Sequence, residues 1–234
     1  MKVAIMYSGG KDSTFAVQYA KHRDWEIEYL LSVKPTRTDC FLFHYATVEN
    51  TPKQAESMGL KHFLITCDVA DAKKEAELIR DFIVNHKVDA LVLGGTGLQL
   101  TQLKSLQDEM HALGIEVFAA HAGHDHDKLI EQMLQDDYKI MITQVATDGG
   151  KKWLGREINK DNFEELKKDS LKYGFHIGFE GGYMDSFVLD APVFKQKFEI
   201  TKSHKIMEDE YSGHVIIDEL VASDKIKIKK NSQN

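Results

Sequence analysis

Ser8-Gly9-Gly10-Lys11-Asp12-Ser13 is the stretch whose residue types and order best fit a chemical task. Two consecutive glycines let the backbone approach an anion without a Cβ in the way. Ser8 and Ser13 add hydroxyl donors and Lys11 adds a positive charge. The apolar run Val3–Tyr7 precedes these residues, and Phe15, Ala16, Tyr19 and Ala20 follow at helical spacing. A strand that ends in small residues and feeds a helix presents several unpaired backbone N–H groups to one point. The pattern predicts a cradle for phosphate oxygens. It is not the Gly-x-x-x-x-Gly-Lys-Ser/Thr loop of kinases and GTPases, because Asp12 follows Lys11 and no glycine stands at the required upstream position. Asp12 also suits the first turn of the helix, where a carboxylate meets the positive end of the dipole.

Three other groupings carry weaker signals. Glu180-Gly181-Gly182 with Asp185 and Asp190 makes an acidic, glycine-bearing loop suited to a cation or an amine, or else an ordinary polar turn before a strand. His121 through Asp127 places three imidazoles and two carboxylates close together, which suits Zn²⁺ or a similar ion, or a solvated turn capped by Asp125 or Asp127. Arg156 fits bidentate binding of a phosphate or carboxylate, or a surface ion pair. Cys40 and Cys67 form no Cys-x-x-Cys pair, and two cysteines cannot make a disulfide framework. A sulfur-carrying role for either is weighed against the commoner one of a small buried hydrophobe.

The elements that must position these residues alternate in period. Strands are predicted at Val3–Tyr7, Trp25–Val33, His62–Thr66, Ala90–Leu93, Ile115–Ala119 and Lys139–Val145. Helices are predicted at Ser13–His22, from Thr51-Pro52 to Gly59, and near Asp71–His86, Leu98–Leu113 and Lys128–Gln135. Continuous apolar strands alternating with helices read as a parallel sheet covered on both faces. After residue 146 the pattern changes to one helix near Asp161–Tyr173 and short strands at Phe187–Leu189, Phe198–Ile200 and His214–Val221. The expected fold class is therefore α/β, a doubly wound and mostly parallel sheet with a smaller C-terminal α+β half. The expected division is 1–146, 147–222 and a Lys-rich polar tail over 223–234.

Composition sets the outer bounds. Over 234 residues, 30 Lys and Arg face 37 Asp and Glu, a net charge of −7 that argues against strong nucleic-acid binding by whole-surface charge. Hydrophobic residues make up 42% and charged residues 29%, a mix that fills a core and excludes a disordered chain. No apolar run approaches the ~20 residues that span a bilayer. The opening residues turn to Ser and Gly too soon for a signal peptide. No membrane association and a cytoplasmic location are expected.

Ser8–Ser13 after the first strand resembles the PP-loop of the N-type ATP pyrophosphatases, whose fold is that of the adenine nucleotide alpha hydrolases. The resemblance implies ATP as the energy source, cleaved to AMP and pyrophosphate, with AMP passed to a substrate carboxyl or carbonyl oxygen. Further segments narrow it: Phe43-His44, Trp153–Arg156, Glu180–Gly182, and Asp185 through Lys195 resemble the diphthine–ammonia ligase branch over residues 1 to 200. That branch implies ammonium as nitrogen donor and diphthine on elongation factor 2 as acceptor, and a homodimer stays open. It implies phosphate contacts from Ser8, Gly9, Gly10, Lys11, Asp12, Ser13, Gly94 and Arg156, and catalytic roles for Lys11, Asp12, His44, Glu180 and Asp185. Asp12 would touch Mg²⁺. The chain departs from the branch pattern at Leu98, Leu100, Thr101, Ala122 and Tyr183, all on the acceptor side. Two other functions share the loop: a tRNA-modifying ATP pyrophosphatase, and a nucleotide-binding regulatory module.

Overall fold

The computed structural model describes residues 1–36, 47–95 and 100–225. Among the described residues, ten strands and six α-helices run in the order β1 (Lys2–Met6), α1 (Lys11–His22), β2 (Glu26–Pro35), α2 (Thr51–Met58), β3 (His62–Cys67), α3 (Ala72–Asn85), β4 (Ala90–Leu93), α4 (Leu100–His111), β5 (Glu116–Ala119), α5 (His126–Gln135), β6 (Lys139–Ala146), β7 (Glu157–Ile158), α6 (Phe163–Tyr173), β8 (Met184–Asp190), β9 (Gln196–Met207) and β10 (Ser212–Asp224). Among the described residues no helix is long and apolar enough to cross a membrane.

The first five strands form one sheet in the order β3-β2-β1-β4-β5, with every neighbouring pair parallel. The doubly wound reading holds. Side chains alternate across β1: Val3, Ile5 and Tyr7 pack with α1, α2 and α5, whereas Ala4 packs with α3 and α4. Strands buried on both faces need apolar residues at every position, which is why Ala90–Leu93 reads as an unbroken run. In this order the winding reverses between β1 and β4, so a crevice opens at their carboxyl ends, where open α/β sheets hold ligands. Ser8–Gly10 leave the end of β1 there, and Gly94 leaves the end of β4.

The second sheet is antiparallel and follows the order β7-β6-β10-β9, with β8 also paired to β6. β6 is thus the spine of the second sheet, although its apolar run continues the strand pattern of the first half. One buried cluster joins the halves, holding Ile5 and Tyr7 of the first with Ile140, Trp153, Phe187 and Val188 of the second. β9 and β10 are 12 and 13 residues long, far longer than their apolar cores. Their outer parts are solvated and carry polar residues, which hides strand character from a search for hydrophobic runs.

Candidate active site

The turn after β1 is built as its sequence requires. Gly9 takes φ +82°, a left-handed value that favours glycine, and a Cβ there would lie 2.7 Å from Gln54 Oε1. A Cβ on Gly10 would lie 2.9 Å from the Ser186 carbonyl oxygen, and one on Gly94 2.6 Å from the Ser13 nitrogen. Gly94 therefore packs directly on the first turn of α1, and the two strand ends meet without intervening side chains. The hydroxyls of Ser8 and Ser13 lie 3.2 Å apart, and Ser13 Oγ donates to the Gly10 carbonyl at 3.1 Å. Gly10 caps α1 with no side-chain bond, and the Lys11 N–H donates to Ser186 Oγ at 3.2 Å.

Residues of the second half and of α2 complete the turn. The Val188 N–H donates to the Gly9 carbonyl at 2.9 Å. Gln54 of α2 donates from Nε2 to the carbonyls of Gly9 at 3.2 Å and Val188 at 2.7 Å, while its Oε1 accepts from the Tyr7 hydroxyl at 3.1 Å. Burial raises the Tyr7 pKa, so this hydroxyl stays protonated as a donor.

Lys11 is 2% exposed, and its ammonium is held from three sides. Nζ lies 2.7 Å from Asp12 Oδ2, donates to the Gly178 carbonyl at 2.7 Å and stands 4.7 Å from the Phe179 ring centroid. A buried ammonium needs such partners, because desolvating it alone is costly. Phe179 holds a φ of +68°, unusual for a bulky residue, in the loop that also carries Glu180. On the other edge of Asp12, Oδ1 lies 3.2 Å from Nδ1 of the buried His121. Burial pushes the His121 pKa down to about 4 against the opposing pull of Asp12, leaving the ring neutral near pH 7.

The structure brings Ser8, Gly9, Gly10, Lys11, Asp12, Ser13 and Gly94 together at one crevice. Glu180 reaches it through His126, whose Nδ1 is 4.0 Å from Glu180 Oε1. Asp185 is the second residue of β8, next to Ser186, which touches the loop. Arg156 is engaged elsewhere: its guanidinium lies 4.2 Å over the Trp153 ring and pairs with Glu165 of α6 at 3.3 Å. That is the surface ion pair the sequence left open. Asp190, too, is an ion-pair member, 2.5 Å from Lys225 Nζ. His44, Phe43, Cys40 and Leu98 lie outside the described residues, as does the tail beyond 225, and the side chains of Leu100 and Thr101 are outside them too. Tyr183 is part-exposed beside Gly181, and Ala122 is exposed. Asp125 caps α5, accepting from the N–H groups of Asp127 and Lys128, so the capping reading of that turn is realised. Among the described residues no group of three or more His, Cys, Asp or Glu is placed to hold a metal ion.

Gln54, Ser186, Gly178 and Phe179 are contacts that sequence reasoning missed. Only Gln54 left a trace, as a polar residue beside Ala55 on the apolar face of its helix. The arrangement as a whole can hold polyphosphate oxygens on backbone N–H groups and two hydroxyls, with one cation ready to meet negative charge.

Comparison with known proteins gives two family matches and a set of relatives. The family model of the diphthamide synthase N-terminal domain matches residues 1–117, and that of the diphthamide synthase C-terminal domain matches residues 125–222. A diphthine–ammonia ligase of Bos taurus is 24% identical over 230 residues, covering 88% of this chain and 85% of its own. One from Danio rerio is 24% identical over 232 residues and 90% of each chain. One from Schizosaccharomyces pombe is 25% identical over 234 residues, which are 92% of this chain but 38% of that longer protein.

Proposed function

The chain belongs to the diphthamide synthase family, and from that premise we propose that it is an ATP-dependent amide ligase acting on a carboxylate, with diphthine on elongation factor 2 as acceptor. The reaction has two displacements. An acceptor carboxylate oxygen attacks the α-phosphorus of ATP, the bond to the β-phosphate bridge breaks, and pyrophosphate leaves with the electron pair. The lone pair of ammonia then attacks the acyl carbon, the carbon–oxygen bond to AMP breaks, and the amide forms as the nitrogen gives up one proton. Adenylation makes a carboxylate oxygen into a leaving group, which it is not by itself.

The observation that carries this reading is the turn itself: Gly9 to Ser13 at the crevice of a parallel sheet, with a buried lysine ammonium inside it. In this reading backbone N–H groups of Gly10 to Ser13 bind the β- and γ-phosphates at the helix N-terminus, those of Gly10 and Lys11 exchanging Ser8 Oγ and Ser186 Oγ for phosphate oxygens. Lys11 exchanges Asp12 and the Gly178 carbonyl for the departing pyrophosphate, where charge grows in the transition state. Mg²⁺ bound with nucleotide is held chiefly by phosphate oxygens and water and needs only one or two carboxylates, a demand that Asp12 meets. That ion would neutralise phosphate charge. In this reading Glu180 and Asp185 serve the acceptor side, whereas Arg156, expected at the phosphates, is paired with Glu165. The proposed boundary between the ATP-binding half and the acceptor half falls at residue 146.

The test is nucleotide product analysis. With ATP, ammonium and a carboxylate acceptor the protein should release AMP and pyrophosphate; release of ADP and phosphate would refute the assignment.

A further inference from the structure

Gln54 lies on the buried side of α2 with none of its surface exposed, an uncommon place for a glutamine. Buried amide groups need partners, and those of Gln54 lie in the loop after β1 and in the strand beside it. Its Nε2 donates to the Gly9 carbonyl at 3.2 Å and to the Val188 carbonyl of β8 at 2.7 Å. Its Oε1 accepts from the Tyr7 hydroxyl at 3.1 Å, and that hydroxyl lies 3.3 Å from Thr14 Oγ1 of α1. An amide offers two N–H donors on one side and an oxygen on the other, which matches two carbonyls and one hydroxyl. Tyr7 therefore sets which way round the amide lies.

These bonds decide the direction of one peptide. The Gly9 carbonyl accepts from Gln54 Nε2 and from the Val188 N–H at 2.9 Å. The Gly9–Gly10 peptide is trans, so its carbonyl and its N–H point to opposite sides. Holding the carbonyl towards α2 and β8 turns the Gly10 N–H the other way, where it meets Ser8 Oγ at 3.4 Å. With glycine on both sides, sterics alone do not choose between this orientation and its reverse. The hydrogen bonds make the choice. The reversed peptide would aim a carbonyl oxygen at the phosphates, oxygen against oxygen. Gly9 also makes room for the amide, since a Cβ there would lie 2.7 Å from Gln54 Oε1.

We infer that Gln54 is a positioning residue for the phosphate loop, fixing the Gly9–Gly10 peptide with its N–H towards the polyphosphate and tying that peptide to β8. The inference rests on reading the loop as a phosphate cradle. It calls for an amide in particular. A carboxylate at position 54 would set its oxygens against two carbonyls, and an apolar side chain would leave both carbonyls one bond short.

Calorimetric titration of the full chain with pyrophosphate and magnesium chloride, and separately with adenosine, decides it. Gln54→Met keeps the length of the side chain and removes the amide. Its affinity for pyrophosphate should fall by about tenfold or more, while its affinity for adenosine, which has no phosphate, stays at the wild-type value. Gln54→Glu should lose more. Tyr7→Phe, which removes the donor that orients the amide, should lose about two- to fivefold for pyrophosphate alone. Ile79→Val, in the core cluster on the other face of the parallel sheet, controls for lost stability and should leave both affinities unchanged. Wild-type pyrophosphate affinity in Gln54→Met, or equal losses for pyrophosphate and adenosine, would overturn the inference. Should Gln54→Met fail to fold, Tyr7→Phe carries the test, and an unchanged pyrophosphate affinity there would overturn it as well. If the wild-type chain binds no pyrophosphate, the cradle reading falls and the inference with it. If the affinities behave as expected but no AMP forms from ATP with any acceptor, the inference stands and the ligase reading falls.

Discussion

At Lys11 a cation is stored rather than exposed. Its ammonium is held by Asp12, the Gly178 carbonyl and the Phe179 face, partners that come from both halves of the chain. Lys11→Met keeps the length and apolar stem and removes the charge. It should lower AMP formation by about 10²–10³-fold, the usual loss when one charge-stabilising group leaves such a site. Circular dichroism should be unchanged, and near-normal AMP release would show that Lys11 is not the group meeting the pyrophosphate. This residue was legible in the sequence because its whole motif is contiguous, and strand, turn and helix are dictated within about twenty positions. Gln54 was not, because its meaning lies in a bond to Gly9, 45 positions away. Arg156 shows the same limit: a guanidinium in a suggestive tetrapeptide takes its partner from α6, which the tetrapeptide does not encode. His121 was visible within a histidine-rich turn, but its burial and its approach to Asp12 are tertiary facts.

Among the elements, β4 and α1 meet backbone to backbone at Gly94. Gly94→Ala would place a methyl 2.6 Å from the Ser13 backbone nitrogen and 2.7 Å from the Asp12 carbonyl carbon, so backbone must move. The expected cost is about 1–3 kcal/mol, as for other overpacked sites, together with weaker ATP binding. Urea melts and nucleotide titration of the variant would check both, and wild-type values would contradict the packing argument. A second junction ties β2, α2 and β3 through His62, whose Nε2 lies 2.8 Å from Ser32 Oγ and 3.1 Å from Thr51 Oγ1. Burial lowers its pKa to about 4 from an ordinary value near 6.5. Between those values the unfolded chain binds more protons, so His62 adds stability that is complete above pH 6.5 and is lost as pH falls towards 4. After allowance for solvent screening of a half-buried group, the loss is about 1–2 kcal/mol. His62→Gln should flatten the fall in urea midpoint between pH 7 and pH 5, and an equal fall in both proteins would contradict the assignment. Helices and parallel strands were legible because burial on one or both faces sets their periods. The sheet to which β6 belongs was not, since an apolar run reports burial without reporting its partners. The ends of β9 and β10 were missed because solvated hairpin strands carry polar residues.

Over the whole molecule, one apolar cluster runs from β1 through α5 into the antiparallel sheet, and the Val188 N–H joins that sheet to the loop at Gly9. In the proposed reading the two halves serve one reaction. Phosphates would bind on the first half, the acceptor on the second, and Lys11 sits at the seam. The overall class was open to sequence reasoning because alternating strands and helices admit few architectures. The seam was not, because Gly178, Phe179 and Ser186 are ordinary letters until folding brings them to the loop. The most direct measurement of the central claim is mass spectrometry of elongation factor 2 carrying diphthine after incubation with this protein, ATP and ammonium. The account predicts a loss of ~1 Da as the carboxylate becomes an amide, one AMP released per amide formed, and no change with Lys11→Met. An unchanged mass with ATP intact, or an amide formed equally well by Lys11→Met, would contradict it.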